Sequence, residues 1–130
     1  MRTVLHTSVL VAAGQGYQPI LGELAISAVS LAEIHFGILR ATDDRVRADR
    51  LQLLIAVERR FDALPVDEAV AASYGRLALA MSRVGQRPRT FDLLMAATAH
   101  AHSARLATLT PDDVSGLDDL VDVVVPTRLP

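Results

Sequence analysis

The sequence predicts an α/β fold: an α/β/α sandwich with a mainly parallel central sheet. Two observations lead there. Short apolar runs of strand length alternate along the chain with longer stretches of helical periodicity. The chain is 130 residues long and 51% hydrophobic, enough for a full core, and shows no repeat, low-complexity tract or linker, so one domain over residues 1–130 is expected.

The elements follow in order. "RTVLH" (2–6) reads as a first buried strand running into the hydroxyl-rich turn "TS". "LAISAV" (24–29) is a second apolar run of strand length. Leu31, Ile34, Ile38 and Leu39 recur at helical spacing through 30–41, and Val46, Leu53, Leu54 and Val57 do so through 43–60. "DALPV" (62–66) is a short strand. Val70, Tyr74, Leu77, Met81 and Val84 form the stripe of a helix over 67–85 that stops at Gly85. "QRPR" is a loop, and the alanine-rich 90–103 is a helix. "RLATL" (105–109) and "VDVVV" (121–125) are the last strands, separated by "TPDDVSGLDD". In such sheets a ligand site lies beyond the carboxyl ends of the strands.

Composition excludes several functions. Cysteine is absent, which removes disulfides, thiolate metal sites and cysteine nucleophiles. All 13 basic residues are arginine. A phosphate-binding P-loop, a Schiff-base enzyme and a receiver-type phosphoacceptor domain each call for a lysine. No run of ~18 apolar residues spans a membrane, and the N-terminus reads as strand and turn, not as a signal peptide, so a cytoplasmic location is expected. The net charge of −2 selects no partner class.

Three carboxylates occupy comparable places. Glu33 follows the strand 24–29, Asp92 opens the helix 90–103, and Asp113 follows the strand 105–109. Each has a purely structural explanation: Ser30 to Glu33 is a capping-box spacing, Thr90 can cap with Asp92 in the first turn, and Thr110 can cap with Pro111 at the first helical position. Together they carry another meaning. Strand ends of a parallel sheet can converge, and converging carboxylates repel unless a cation is present. Oxygen ligands suit Mg²⁺ or Mn²⁺, which can activate water and offset charge on a phosphodiester.

At these residues the chain resembles the PIN domain, specifically the VapC-type toxins of bacterial toxin–antitoxin pairs. The matching stretches are "VLHTSVLVAA", "ISAVSLAEIHFGI", "RTFDLLMAATAHAH" and "LATLTPDDVSGLDDLVDVVV", in family order and over nearly the whole chain. The resemblance implies an α/β/α sandwich, Mg²⁺-dependent endoribonuclease activity on structured RNA, a cognate antitoxin of the VapB type and a homodimer. It gives Glu33, Asp92 and Asp113 the second, third and fourth acidic positions, as catalytic metal ligands. Asp112 is a neighbour of the last. Thr7 and Ser8 match the family's hydroxyl pair, and Thr108 the threonine of its "T-R-N" segment, where Leu109 and Thr110 replace the arginine and asparagine. His6 stands where the family has its first aspartate.

An imidazole at position 6 can ligate a metal, though it suits Mn²⁺ better than Mg²⁺. It can instead donate to a neighbouring carboxylate or an RNA phosphate, or simply pack at a strand end. His35 reads as a packing or interface residue, and His100 and His102 fall on different sides of a helix. Thr7, Ser8, Thr108, Arg87 and Arg89 are expected to position RNA, the arginines through phosphate, and Arg83 lies nearby. The apolar faces of 30–41 and 43–60 are expected to be mostly core, with part left for antitoxin or a second copy. Two functional classes follow: an endoribonuclease toxin, or a PIN scaffold that binds antitoxin, with or without RNA, and does not cut. A flavodoxin-like ligand-binding domain is the distant third, since no glycine-rich phosphate loop is present.

Overall fold

The computed structural model describes all residues, Met1–Pro130. The elements run β1 (Arg2–Leu5), α1 (Thr7–Val11), β2 (Glu23–Ser27), α2 (Ala28–Arg40), α3 (Asp44–Arg60), β3 (Ala63–Leu64), α4 (Glu68–Arg83), α5 (Thr90–Ala101), β4 (Arg105–Ala107), a 3₁₀ turn (Pro111–Val114) and β5 (Val123–Val124). The sheet order is β3-β2-β1-β4-β5, and every neighbouring pair is parallel. The expected parallel sandwich is therefore what forms.

Alternation along each strand builds the two helical layers. Val4, Ala25 and Leu106 pack on one face with Val70, Leu77 and Met81 of α4 and Leu93 and Met95 of α5. Their neighbours Leu5, Ile26 and Ala107 turn to the other face, against Leu10, Ile34, Leu54 and Val57. Three residues expected on the inward stripes lie outside: Leu39, Val46 and Val84 are exposed. Leu39 sits ~100° around the helix from Ile38, and Val84 is the cap beyond the last turn of α4. Gly85 ends that helix as expected, with a φ of 74° that glycine adopts freely.

Two strand boundaries move because a side chain caps the helix that follows. The second strand stops at Ser27, not at residue 29, because the Ser27 hydroxyl accepts from Val29 N–H and starts α2. The first strand stops at Leu5, and the turn after it is the short helix α1.

The order of strands fixes where a site can form. The chain leaves β1 toward β2 and β3 on one side, and β4 and β5 lie on the other. Beside β1 the direction of the connections reverses, and at such a point a crevice opens at the carboxyl ends of the strands. His6, the residue after β1, faces it, with its N–H still in the ladder to Ala107 O at 2.9 Å. No helix is long and apolar enough to cross a membrane.

Candidate active site

One polar cleft of about 460 Å³ lies at this reversal, and it collects polar side chains from four parts of the chain, three of them acidic. His6, Thr7 and Ser8 come from the β1–α1 junction, Glu33 from α2, Asp92 and Arg89 from the start of α5, and Asp113 and Thr110 from the 3₁₀ turn after β4. Asp112 is exposed and does not line the cleft. A larger cavity of about 560 Å³ lies under α1, lined by Leu5, Leu10, Tyr17 and Phe61 among others. No acidic residue lines it, so the polar cleft is where metal or phosphate chemistry belongs.

Two of the capping explanations for the carboxylates fail. Ser27, not Ser30, caps α2; Ser30 lies buried inside the helix, so Ser30 and Glu33 form no capping box. Arg89 holds the cap position of α5, with no side-chain capping bond, and Thr90 is already helical. Thr110 does occupy the cap position before Pro111, but its side chain makes no capping bond either.

What holds the carboxylates is each other's surroundings. Thr7 Oγ1 lies 2.7 Å from Glu33 Oε1 and 2.9 Å from Ser30 Oγ. A hydroxyl has one proton, and the carboxylate is the stronger acceptor, so Thr7 donates to Glu33 with Ser30 Oγ alongside. Asp92 is buried in the first turn of α5, where the helix N-terminus favours a negative charge. Its Oδ1 sits 2.7 Å from His6 Nε2. Asp113, half buried, has no side-chain partner in the chain, and neither Glu33 Oε2 nor Asp92 Oδ2 makes an internal hydrogen bond. No buried side-chain nitrogen or oxygen lacks a partner, so these free oxygens reach the solvent of the cleft.

His6 is the buried centre of this network. The Ser8 backbone N–H donates to Nδ1 at 3.0 Å, which makes His6 the side-chain cap of α1. Nδ1 therefore carries the lone pair, and the ring proton is on Nε2, donated to Asp92. The Ser8 hydroxyl lies 2.8 Å from the same Nδ1 and accepts from Leu109 N–H at 3.1 Å. Both ring nitrogens are engaged in this arrangement, Nδ1 by Ser8 and Nε2 by Asp92. No three histidine, aspartate or glutamate side chains stand close enough together to hold a metal ion as they are placed. The oxygen donors of Glu33, Asp92 and Asp113 have the chemistry a hard divalent cation takes, and a cation would draw them together.

The expected RNA-positioning residues divide. Arg89 is exposed and lines the cleft, while Arg87 is exposed but does not line it. Thr7 and Ser8 line the cleft with their hydroxyls engaged internally. Thr108 is 1% exposed, and its hydroxyl accepts from Thr110 N–H at 3.1 Å, so it shapes the turn. His35 is exposed; His100 pairs with Ser73 Oγ at 2.7 Å and His102 with Arg2, both away from the cleft. Gln15 and Thr110 line the cleft and were not expected there. Gln15 sits in a glycine-bracketed loop with no periodicity to place it, and Thr110 reads from sequence as a cap and, by the resemblance, as the replacement for the asparagine of the "T-R-N" segment.

Residues 4–113 match the PIN domain family. The chain is 35% identical over 126 residues to a protein named Ribonuclease VapC5 of Mycobacterium tuberculosis, covering 94% of this chain and 92% of that one. Among solved structures it resembles VapBC-5, a VapBC-family toxin–antitoxin system of the same organism, with 33% identity, 98% coverage of each chain and a TM-score of 0.83. VapBC2 of Rickettsia felis, solved with a DNA fragment from its promoter, shares the fold at a TM-score of 0.77 with 20% identity over 97% of this chain and 99% of that one. The chain belongs to the PIN-domain family, as a member of the VapC type.

Proposed function

We propose that the chain is the toxin component of a type II toxin–antitoxin pair, a single PIN-like domain that works in the cytoplasm as a metal-dependent endoribonuclease on structured RNA. The observation that carries this reading is the gathering of Glu33, Asp92 and Asp113 around one solvent-open cleft with Arg89 at its edge. Glu33, Asp92 and Asp113 would hold Mg²⁺ or Mn²⁺, which supplies a Lewis acid to offset charge on the phosphodiester. The rest falls to the chain itself. Arg89 receives a phosphate at the rim, and Arg87 extends the positive edge along the same loop. Thr7 fixes Glu33 by one oxygen, leaving Oε2 free toward the cleft. His6 and the α5 N-terminus fix Asp92. A VapB-type antitoxin and a second copy of the chain are the partners. Phe36 and Leu39 of α2 and Leu51 and Ile55 of α3 are exposed apolar side chains suited to such contacts.

A second reading has its own observation. The His6 hydrogen bond occupies Asp92, which favours a PIN scaffold that binds antitoxin, with or without RNA, and does not cut. The purified chain, freed of antitoxin, separates the two on structured RNA in Mg²⁺ and in Mn²⁺. Cleavage by the unmodified chain that Asp92→Asn abolishes is the expected result. Cleavage appearing only after His6→Asp would establish the scaffold reading instead.

A further inference from the structure

The geometry points to His6 as an internal substitute for the cation: its Nε2–H holds Asp92 through Oδ1 in the metal-free protein, and a divalent ion competes with that proton for the same oxygen. This rests on the reading of Asp92 as a metal ligand and goes beyond it.

Four features carry the inference. The donor and acceptor are 2.7 Å apart and both side chains are only 10% exposed, so water does not compete well for either. The Ser8 N–H on Nδ1 fixes which ring nitrogen carries the proton, and Leu109 N–H fixes the Ser8 hydroxyl beside it. The network thereby ties the end of β1, the turn after β4 and the start of α5. Finally, Asp92 Oδ2 makes no internal hydrogen bond, so His6 is the one side chain that holds this carboxylate. An aspartate at position 6 could cap α1 through its own oxygens. It could not donate to Asp92, and it would add a charge to a site that then needs a cation for its stability as well as its chemistry.

The consequence is an exchange of stabilities. The unmodified chain is stable without metal and binds divalent ions weakly. His6→Asp is less stable than the unmodified chain in EDTA, recovers on adding Mn²⁺, and binds Mn²⁺ tighter by about 10-fold or more, because a carboxylate adds a charged oxygen donor where the imidazole gives none.

Three measurements on the full chain test this. Melting in EDTA and along Mg²⁺ and Mn²⁺ titrations is recorded for the unmodified chain, His6→Asp and His6→Asn. Mn²⁺ affinity is measured by calorimetry. The imidazole nitrogens are followed by NMR in ¹⁵N-histidine-labelled protein, with and without Mg²⁺. His6→Asn keeps a neutral capping side chain but is too short to replace the ring's reach, so it separates loss of the bond from gain of charge. Its Mn²⁺ affinity should rise less than that of His6→Asp, and its melting temperature should fall without recovering as fully on adding Mn²⁺. The expected spectrum has a protonated Nε2 and an unprotonated Nδ1 in the metal-free chain. A protonated Nδ1, or equal Mn²⁺ affinity for the unmodified chain and His6→Asp, overturns the proposal. Failure to cleave RNA, with the nitrogen assignment and the affinity difference intact, counts against the nuclease reading alone.

Discussion

Asp92 and Asp113 sit on one cleft and are built in opposite ways. Asp92 is buried at the start of a 12-residue helix, and its carboxylate is anchored by His6. Asp113 is half buried on a four-residue 3₁₀ turn, with no side-chain bond of its own and no side-chain cap before it. Helix dipole, burial and a charge-assisted hydrogen bond all act on the first; none of them acts strongly on the second. One corner is set before any ligand arrives, while the other is placed only by its backbone. Two aspartates on the same sheet edge thus differ in how much stability depends on them, while both line the same cleft.

The sharpest break in that comparison is in activity. Asp92→Asn keeps the shape and, in the nuclease reading, abolishes cleavage: a loss of at least about 100-fold in kcat, the scale on which single charge-stabilising groups act. Glu33→Gln should approach it. Asp113→Asn should also lose activity. A steady-state assay on one structured RNA across the three variants checks the order.

Stability should separate the two corners where activity does not. Asp92→Ala leaves the buried His6 Nε2–H without a partner, which costs about 1–3 kcal/mol in a urea titration. Asp113→Ala removes no internal bond and should stay within about 0.5 kcal/mol of the unmodified chain. Equal losses for both would mean that the His6 contact is not formed in solution.

Thr7→Val tests the remaining anchor. It removes the hydroxyl that holds Glu33 Oε1 with little change in volume, and should cost about 1 kcal/mol of stability. Because Glu33 keeps its charge but loses its orientation, kcat should fall more than KM rises. A change confined to KM would place Thr7 against the RNA instead.

The contrast also explains what was legible in the sequence. The parallel sandwich followed from alternating apolar runs, since burial on two faces leaves a pattern that survives without coordinates. The collection of Glu33, Asp92 and Asp113 on one cleft was legible only because all three follow strands or open helices, and sheet topology gathers such positions. What holds them was not legible. Nothing local marks Ser27 in preference to Ser30 as the cap of α2, because a serine three residues before a glutamate fits the same pattern whether or not it caps. The His6–Asp92 bond joins residues 86 apart, and no local periodicity encodes a pairing at that separation. Thr108, expected by the resemblance to position RNA, is buried, because the ladder to Val124 O continues through its N–H and holds it under the turn.

The smallest expected effect belongs to the arginines at the rim. Arg89 is exposed and borders the cleft beside Asp92, so a phosphate it contacts lies close to the acidic corner. Arg89→Ala should weaken RNA binding and lower the salt dependence of affinity by about one phosphate contact. Arg87 lies two residues earlier, is equally exposed and does not border the cleft, so Arg87→Ala should change the salt slope less and leave the position of cleavage alone. Binding measured across a salt series with the Asp92→Asn background, which prevents turnover, isolates these terms. Equal slopes for the two variants would show that phosphate is read along the whole loop and that the mouth of the cleft has no special share. A steeper loss for Arg89 would tie the RNA backbone to the anchored corner, beside the one carboxylate whose position is fixed before anything binds.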